Sequence, residues 1–546
     1  MAVACRPGGH CSGASAAEGR VENTMTSASP EYDAIIIGSG FGGSFAAEPL
    51  VASGARVLMI ERGGWVARDR HNWNPEGSME LTPQYTLASP YRVLEGGQTP
   101  YVGMCECVGG QSVFYGGVSF RLREADFQPK PEIVGDSGAR WPIDYEELMP
   151  YYARAERHLE VAGDVGRDPV EPPRRGEGFP QPSAPLSPTS QRIAEAGSSL
   201  GLRPFSLPLA IHYGNGDGRP GCVACPTCDT FACAVSAKND LATTVLPGLI
   251  RRGLDLRPHT IAVRLVARGD RVTEVECIDR QRKTRVAFRG ARVLLAAGAL
   301  ASPQLLLASG LQGRNSAGQA IGRYLIRHCN GLVLGLFPRL PDDGLQFHKQ
   351  VGFHDFYFGH PSIDRPTGML GSIQQLQTPP IALVKANAPR LVAPFLGPAV
   401  RRLTGLIVMA EDQPRHENGV DVDANRPDQF GLPQLVVRHR HTQRDEQARR
   451  ALCRQAGRIL WAAGARFLYT HFIRTFSHAA GTVRFGDDPA AAPLDRFCRF
   501  RGLDNLFVVD GSFMPTAGGV NPSLTIGANA LRVADAIVGG ALPTGE

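Results

Sequence analysis

The sequence predicts an α/β protein, α+β overall, in which a parallel-sheet domain assembled from separate stretches of chain is interleaved with a second domain built on an antiparallel sheet. Three observations predict it. The run Tyr32-Asp33-Ala34-Ile35-Ile36-Ile37 ends directly on Gly38-Ser39-Gly40-Phe41-Gly42-Gly43 and a helix-compatible stretch. The same texture of buried strand and glycine turn returns at 292–299 and again at 506–512. Between these stretches, from about residue 127 to 208, the chain turns Pro-rich and irregular.

In chain order, the first strand at 32–37 leads into a helix at 44–53, which Pro49 is expected to kink. A second strand, Arg56-Val57-Leu58-Met59-Ile60, closes on Glu61-Arg62-Gly63-Gly64. In a strand-turn-helix of this kind the first glycine permits the tight turn, the second lets a pyrophosphate approach the backbone, and the third lets helix pack on strand. The helix N-terminus then offers N–H groups to the phosphates. Glu61 ends the second strand, 21 residues after Gly40, where a carboxylate accepts hydrogen bonds from ribose hydroxyls. This is a Rossmann-like unit. Further along, a helix is expected at 150–161, strands at 332–336 and 406–409, a helix at 302–307, a strand and turn at 506–512 and a helix at 523–538. The expected cofactor domain takes in 31–126, 235–330 and 471–546, and the second domain 127–234 and 331–470. Residues 1–30 are Gly-, Ala- and Ser-rich with no apolar signal-peptide core, and read as a disordered leader with a second possible start at Met25.

Composition excludes several classes. With 546 residues, 43% hydrophobic and 20% charged, the chain can bury large cores and is neither disordered nor collagen-like. A net charge of +6, spread along the chain, carries no nucleic-acid or polybasic membrane footprint. No run reaches the ~20 apolar residues of a membrane-spanning helix. Twelve Cys in a chain of this size do not make a disulfide scaffold, so a reducing, cytoplasmic compartment is expected.

Two further segments carry chemistry. In Gly109-Gly110-Gln111-Ser112-Val113-Phe114-Tyr115-Gly116-Gly117, followed by Val118, two glycine pairs let backbone pass close to something flat or anionic. The other is Gly298-Ala299-Leu300-Ala301-Ser302-Pro303-Gln304-Leu305-Leu306-Leu307-Ala308-Ser309-Gly310-Leu311. Together with the nucleotide fingerprint, His478-Ala479-Ala480-Gly481-Thr482, and Asp510-Gly511-Ser512 leading to Asn521-Pro522, these resemble the glucose-methanol-choline (GMC) family of flavin oxidoreductases, in that family's order, from about residue 32 to 537. Two positions depart from the pattern: Gln312 stands for the usual Gly and Tyr115 for the usual Asn.

The resemblance implies bound FAD and oxidation of an alcohol by hydride transfer to flavin N5. It implies cofactor contacts from Gly38, Ser39, Gly40, Phe41, Gly42, Gly43, Glu61 and Arg62, from Gly110, Ser112, Tyr115, Gly116, Gly117 and Val118, and from Asp510, Gly511, Pro522 and Thr525. The attachment is expected to be non-covalent, because the 109–117 loop contains no His. The loop looks most like the branch holding cholesterol oxidases and certain sugar dehydrogenases.

Alcohol oxidation needs a base for the hydroxyl proton and donors to hold the oxygen. His478, which titrates near working pH, matches the family's catalytic histidine. Asn521 matches the second active-site residue, and Glu411 lies in a segment from which several members aim a carboxylate at the substrate.

Cys222, Cys225 and Cys228 have the spacing of a bacterial ferredoxin loop, with Cys233 one residue late for the fourth ligand. An iron–sulfur cluster, zinc, and thiols or a disulfide all stay open. The expected substrate is a small-molecule alcohol: a sugar, polyol, sterol or other natural product. Electrons pass to oxygen or to an acceptor protein, the latter through the cysteines if they hold a cluster. The reading from a different class is a non-catalytic redox sensor.

Overall fold

The computed structural model describes residues 32–74, 92–93, 105–176, 178–214, 216, 218–341, 348–361, 369–381, 384–385, 397–473, 475–476 and 478–542. The expected leader, 1–30, lies outside them.

The first strand, β1 (Tyr32–Ile37), runs at the centre of a five-stranded parallel sheet. β2 (Val57–Ile60) and then Asp255–Arg257 lie on one side, Gly290–Leu295 and then Leu506–Val508 on the other. A centre strand covered on both faces must be apolar on both, which is why Ile35 and Ile36 are fully buried together with Leu58, Leu294 and Phe507. The helix α1 (Phe41–Ala52) begins inside the glycine motif, three residues earlier than expected, and runs through Pro49 to end at Ala52. It packs on the C-terminal helix Ser523–Val538, where the Phe45 ring lies so close to Gly527 that an added Cβ would meet it at 2.7 Å.

A second sheet has six antiparallel strands, in the order Phe467–Phe472, Cys329–Leu336, Leu403–Ala410, Gly371–Leu376, Val351–Phe353 and Phe205–Ser206. The strands at 329–336 and 467–472 run across the expected domain borders at 330/331 and 470/471. On one face, Val333, Leu406 and Val408 pack against Ala448, Leu452, Ile459 and Leu460 of the helix Gln443–Ala462. That helix starts in a capping box, with the Thr442 hydroxyl accepting from Asp445 N and the Asp445 carboxylate from Thr442 N. The pairings Asn330↔Met409, Ser372↔Met409, Leu332↔Ile407 and Gln374↔Ile407 place those six side chains together on the opposite face.

Two elements differ from expectation. The helix expected at 150–161 is Tyr145–His158, because Asp144 caps it by accepting from Glu147 N at 2.9 Å, and Pro150 falls inside. Residues 260–288, within the expected cofactor segment, form an antiparallel meander of Thr260–Arg268, Arg271–Asp279 and Thr284–Phe288. Among the described residues no helix is long and apolar enough to cross a membrane.

Candidate active site

The glycine motif does what its spacing demands. Gly38 has φ +106°, and a Cβ there would meet the Ala296 carbonyl oxygen at 2.3 Å; one on Gly43 would meet the Gly38 oxygen at 1.9 Å. Gly40 is different: a Cβ there has nothing within 4 Å. Gly40 is also the N-cap of α1, and no side chain caps the helix. The first N–H groups of α1 are therefore without a side-chain cap, and Gly110 approaches so closely that its own Cβ would lie 3.2 Å from Gly40 Cα. A dinucleotide pyrophosphate fits this cradle on both shape and charge.

Glu61, 5% exposed, accepts from Ser39 N at 3.1 Å, Ser39 Oγ at 2.6 Å and Gly63 N at 2.9 Å, and burial raises its pKa. Ser39 Oγ also receives Gly109 N at 3.0 Å, so the fingerprint and the second glycine loop are tied together at Ser39. Phe41 meets the edge of Tyr115. Arg62 reaches Glu106 at 3.3 Å, which also takes Arg280.

Several expected cofactor contacts spend their polar atoms on the protein. Asp510 accepts from Gly298 N, Ser302 Oγ, Ser512 N and Ser512 Oγ, joining the turns after two strands of the parallel sheet. Ser112 Oγ donates to Gly109 O and accepts from Leu241 N, and Tyr115 donates its hydroxyl to Asn239 O. Thr525 pairs with Tyr152 at 2.8 Å, and Val118 is buried beside Leu209. These side chains shape the backbone that faces the cradle. Gly117 has φ +80°; Gly511 packs at Ala479 O, and Pro522 is the N-cap of the C-terminal helix.

His478 is half-buried, and its Nδ1 lies 3.1 Å from Nδ1 of His328. His328 Nε2 lies 2.9 Å from the Gly518 carbonyl, three residues before Asn521, and Gln374 Nε2 donates to Asn521 Oδ1 at 2.9 Å. Burial pushes the His478 imidazole well below its ordinary pKa, helped by its neighbour His328 and the Lys349 charge and opposed by Asp412. Lys349 is paired with Asp229 at 2.9 Å, and both stand over Gly116, within about van der Waals reach of where its Cβ would be. Contacts thus run from His478 to His328 and on to the Gly518 carbonyl, in the loop that leads to Asn521, while Lys349 over Gly116 acts on His478 through its charge. The sequence reading did not find His328, Lys349, Asp229, Gln374 or Asp412.

Glu411 is placed beneath this set. Its Oε1 accepts from Gly518 N at 2.9 Å and it is 1% exposed, so it supports the loop leading to Asn521. Burial first, and then the Asp126 carboxylate, push its pKa up to about 8. The folded protein therefore holds the Glu411 proton through the range where the unfolded chain has lost it, and this group makes stability fall as pH rises from about 4.5 to about 8. Glu411→Gln, which mimics the protonated form, is expected to flatten that fall; thermal unfolding at about pH 5 and about pH 8 checks it.

Of the alternatives left open for Cys222, Cys225, Cys228 and Cys233, the structure has four free thiols, with no disulfide among them and no single-ion sulfur site gathered. Among the described residues, Asp412, His439 and His441 form the only group of three or more His, Cys, Asp or Glu whose donor atoms lie within 4.8 Å of one another. The segment is held by the buried Lys238 ammonium, which donates to the carbonyls of Tyr115, Cys228 and Phe231 at 2.9, 2.9 and 2.6 Å. Cys228 Sγ instead faces His348 Nδ1 at 3.7 Å, and burial raises the thiol pKa. The segment serves as a wall that delivers Asp229 to Lys349 and packs Phe231 against Leu332, Leu376 and Ile407 of the second sheet.

A nucleotide cradle on a parallel sheet, together with a histidine pair beside a second, antiparallel sheet, has the layout of a flavoprotein oxidoreductase. Residues 32–330 match the N-terminal domain of the GMC oxidoreductases and residues 414–530 their C-terminal domain. The chain belongs to the GMC oxidoreductase family, whose members are FAD-binding flavoproteins. It is 32% identical over 528 residues to paromamine 6'-oxidase of Streptomyces fradiae, covering 93% of this chain and 91% of that protein. It is 28% identical over 539 residues to 2-methyl-1,2-propanediol dehydrogenase of Mycolicibacterium austroafricanum, covering 94% and 96%. The fold is that of pyridoxine 4-oxidase from Mesorbium loti, with TM-score 0.62, 22% identity and coverage of 92% and 99%. It is also that of formate oxidase, with TM-score 0.68, 15% identity and coverage of 94% and 99%.

Proposed function

We propose that the chain oxidises a CH–OH carbon of a small polyhydroxylated alcohol, with His478 as the base for the hydroxyl proton and Asn521 holding the substrate oxygen. The observation that supports this reading is the contact of His478 with His328, whose other nitrogen meets the Gly518 carbonyl in the loop that leads to Asn521. FAD, when bound, supplies the hydride acceptor at flavin N5. Gly38, Gly40, Gly43 and the uncapped start of α1 would hold its pyrophosphate, and Gly110, Gly116 and Gly117 would let its rings approach the backbone.

The low pKa of His478 leaves its imidazole neutral at working pH, the state a base must be in. Gln374 fixes the Asn521 amide by donating to its oxygen, which leaves the Asn521 N–H groups to donate to a substrate oxygen. On the same sheet face as Gln374, Asn330 is 6% exposed with its Oδ1 unpartnered, an acceptor suited to a second hydroxyl or an amine. Relatives named for paromamine and for a diol support the polyhydroxylated class.

The electrons pass from the flavin to oxygen or to an acceptor protein. A panel of amino sugars, polyols and sterols, assayed with and without air, tests both points: turnover confined to sterols overturns the substrate class, and peroxide formation identifies an oxidase. The cofactor is expected to leave with the supernatant on acid precipitation; yellow colour staying in the pellet would mean covalent attachment.

A further inference from the structure

We infer that His328 is a positioning residue that fixes which ring nitrogen of His478 carries its hydrogen, leaving His478 Nε2 bare to take the substrate's hydroxyl proton. The inference rests on the reading of His478 as the base.

The Gly518 carbonyl can only accept, so His328 Nε2, 2.9 Å away, carries a hydrogen. A neutral His328 then has its lone pair on Nδ1, and that atom lies 3.1 Å from His478 Nδ1. Two lone pairs do not share such a contact, so His478 Nδ1 donates. Its other nitrogen, Nε2, is left as the acceptor. When Nε2 takes the proton, the Nδ1–H···Nδ1 bond becomes charge-assisted and strengthens. Burial keeps His328 neutral, since it lowers that imidazole's pKa against the opposing Asp412 charge.

The donor at the far end is held rigidly. Asp412 accepts Arg327 N at 2.9 Å and His328 N at 3.0 Å, and its Oδ2 also faces His439 Nε2 at 3.3 Å. His441 Nε2 lies 3.3 Å from the His328 carbonyl. The clamp pins His328 at φ +62°, a left-handed conformation, with its ring perpendicular to that of His478. Asp412, His439 and His441 thus form a backbone clamp behind the histidine pair, with the Arg327 guanidinium 3.2 Å from His439.

Two variants suit the left-handed backbone and differ in the chemistry offered to His478. His328→Gly removes the ring, while His328→Asn places an amide oxygen where Nδ1 accepts. Flavin reduction at saturating alcohol, followed anaerobically, is expected to slow about 10- to 100-fold in His328→Gly, part of the ~10²–10⁴-fold that a positioned base supplies. FAD content and alcohol affinity should stay close to those of the unaltered protein, and His328→Asn should recover most of the rate. Reduction at the normal rate in His328→Gly overturns the inference; so does an equally slow His328→Asn with FAD retained, which would make the role one of packing. His478→Ala run alongside separates the two claims. If it reduces flavin normally, the base assignment falls and this inference with it; if it is slow beside a normal His328→Gly, only the inference falls.

Discussion

His478→Ala is expected to slow anaerobic flavin reduction by about 10² to 10⁴-fold, the usual contribution of a general base, while the protein keeps its FAD. The retention follows from geometry, because the pyrophosphate cradle at Gly38–Gly43 is built on the parallel sheet and owes nothing to His478. Asn521→Ala should cost less, since it removes one positioning hydrogen bond and leaves the base in place. The sign of the His478 shift adds a pH signature. A base whose pKa is depressed stays unprotonated into acid, so the rate of reduction by the unaltered protein should hold its plateau below pH 6.5, where an ordinary imidazole would already be losing activity. Stopped-flow reduction across pH, with FAD content measured in parallel, checks both points. Near-normal reduction in His478→Ala would move the base to another group.

Gly43→Ala and Gly40→Ala should fail in opposite ways. A Cβ at Gly43 would sit 1.9 Å from the Gly38 carbonyl, and Gly38 is held in place by its own N–H, which donates to Ile60 O at 2.8 Å. The atoms met most closely are backbone of Gly38, directly after the central strand, with Ile36 Cγ2 next at 3.1 Å. The cost should exceed the about 1–3 kcal/mol of ordinary overpacking, and the variant should be poorly folded and colourless. Gly40 has φ −70° and open space around its would-be Cβ, so Gly40→Ala should leave apoprotein stability within about 1 kcal/mol of normal. It should nonetheless bind FAD weakly, since the new methyl group enters the pyrophosphate's space. Thermal unfolding of apoprotein together with FAD titration separates the two, and unchanged FAD affinity in Gly40→Ala would mean that the phosphates do not approach this turn.

What could be seen in the sequence was what local pattern controls. The β-branched run at 32–37 and the glycines after it specify a strand and a tight turn within a dozen residues, and Leu506–Val508 and Ser523–Val538 carry similarly local signals. The meander at 260–288 carried a weaker signal, the alternation Glu274-Val275-Glu276-Cys277, and its half-exposed strands lack the continuous apolar run that marked the others. His328 carried no such signal. Its role depends on Asp412, 84 residues away, on His478, 150 away, and on a left-handed backbone that no pattern announces. Lys349 and Lys238 did carry one: the chain has only five Lys among 58 basic residues, and two of them are buried at the site, where a compact ammonium does what a guanidinium cannot. The cysteine spacing could not by itself choose between metal ligation and free thiols, because ligand type and interval say nothing of how the segment is held, which here is through the Lys238 ammonium.

The most direct measurement is the visible spectrum of the purified protein, saturated with FAD and mixed without oxygen with each member of a panel of sugars, amino sugars and polyols. Oxidation of CH–OH by a bound flavin predicts that the yellow absorbance bleaches with at least one alcohol, that one equivalent of its carbonyl product forms per flavin, and that the carbonyl compound itself leaves the spectrum unchanged. A protein that takes up no FAD, or whose flavin no alcohol in the panel reduces while a non-alcohol donor does, contradicts it.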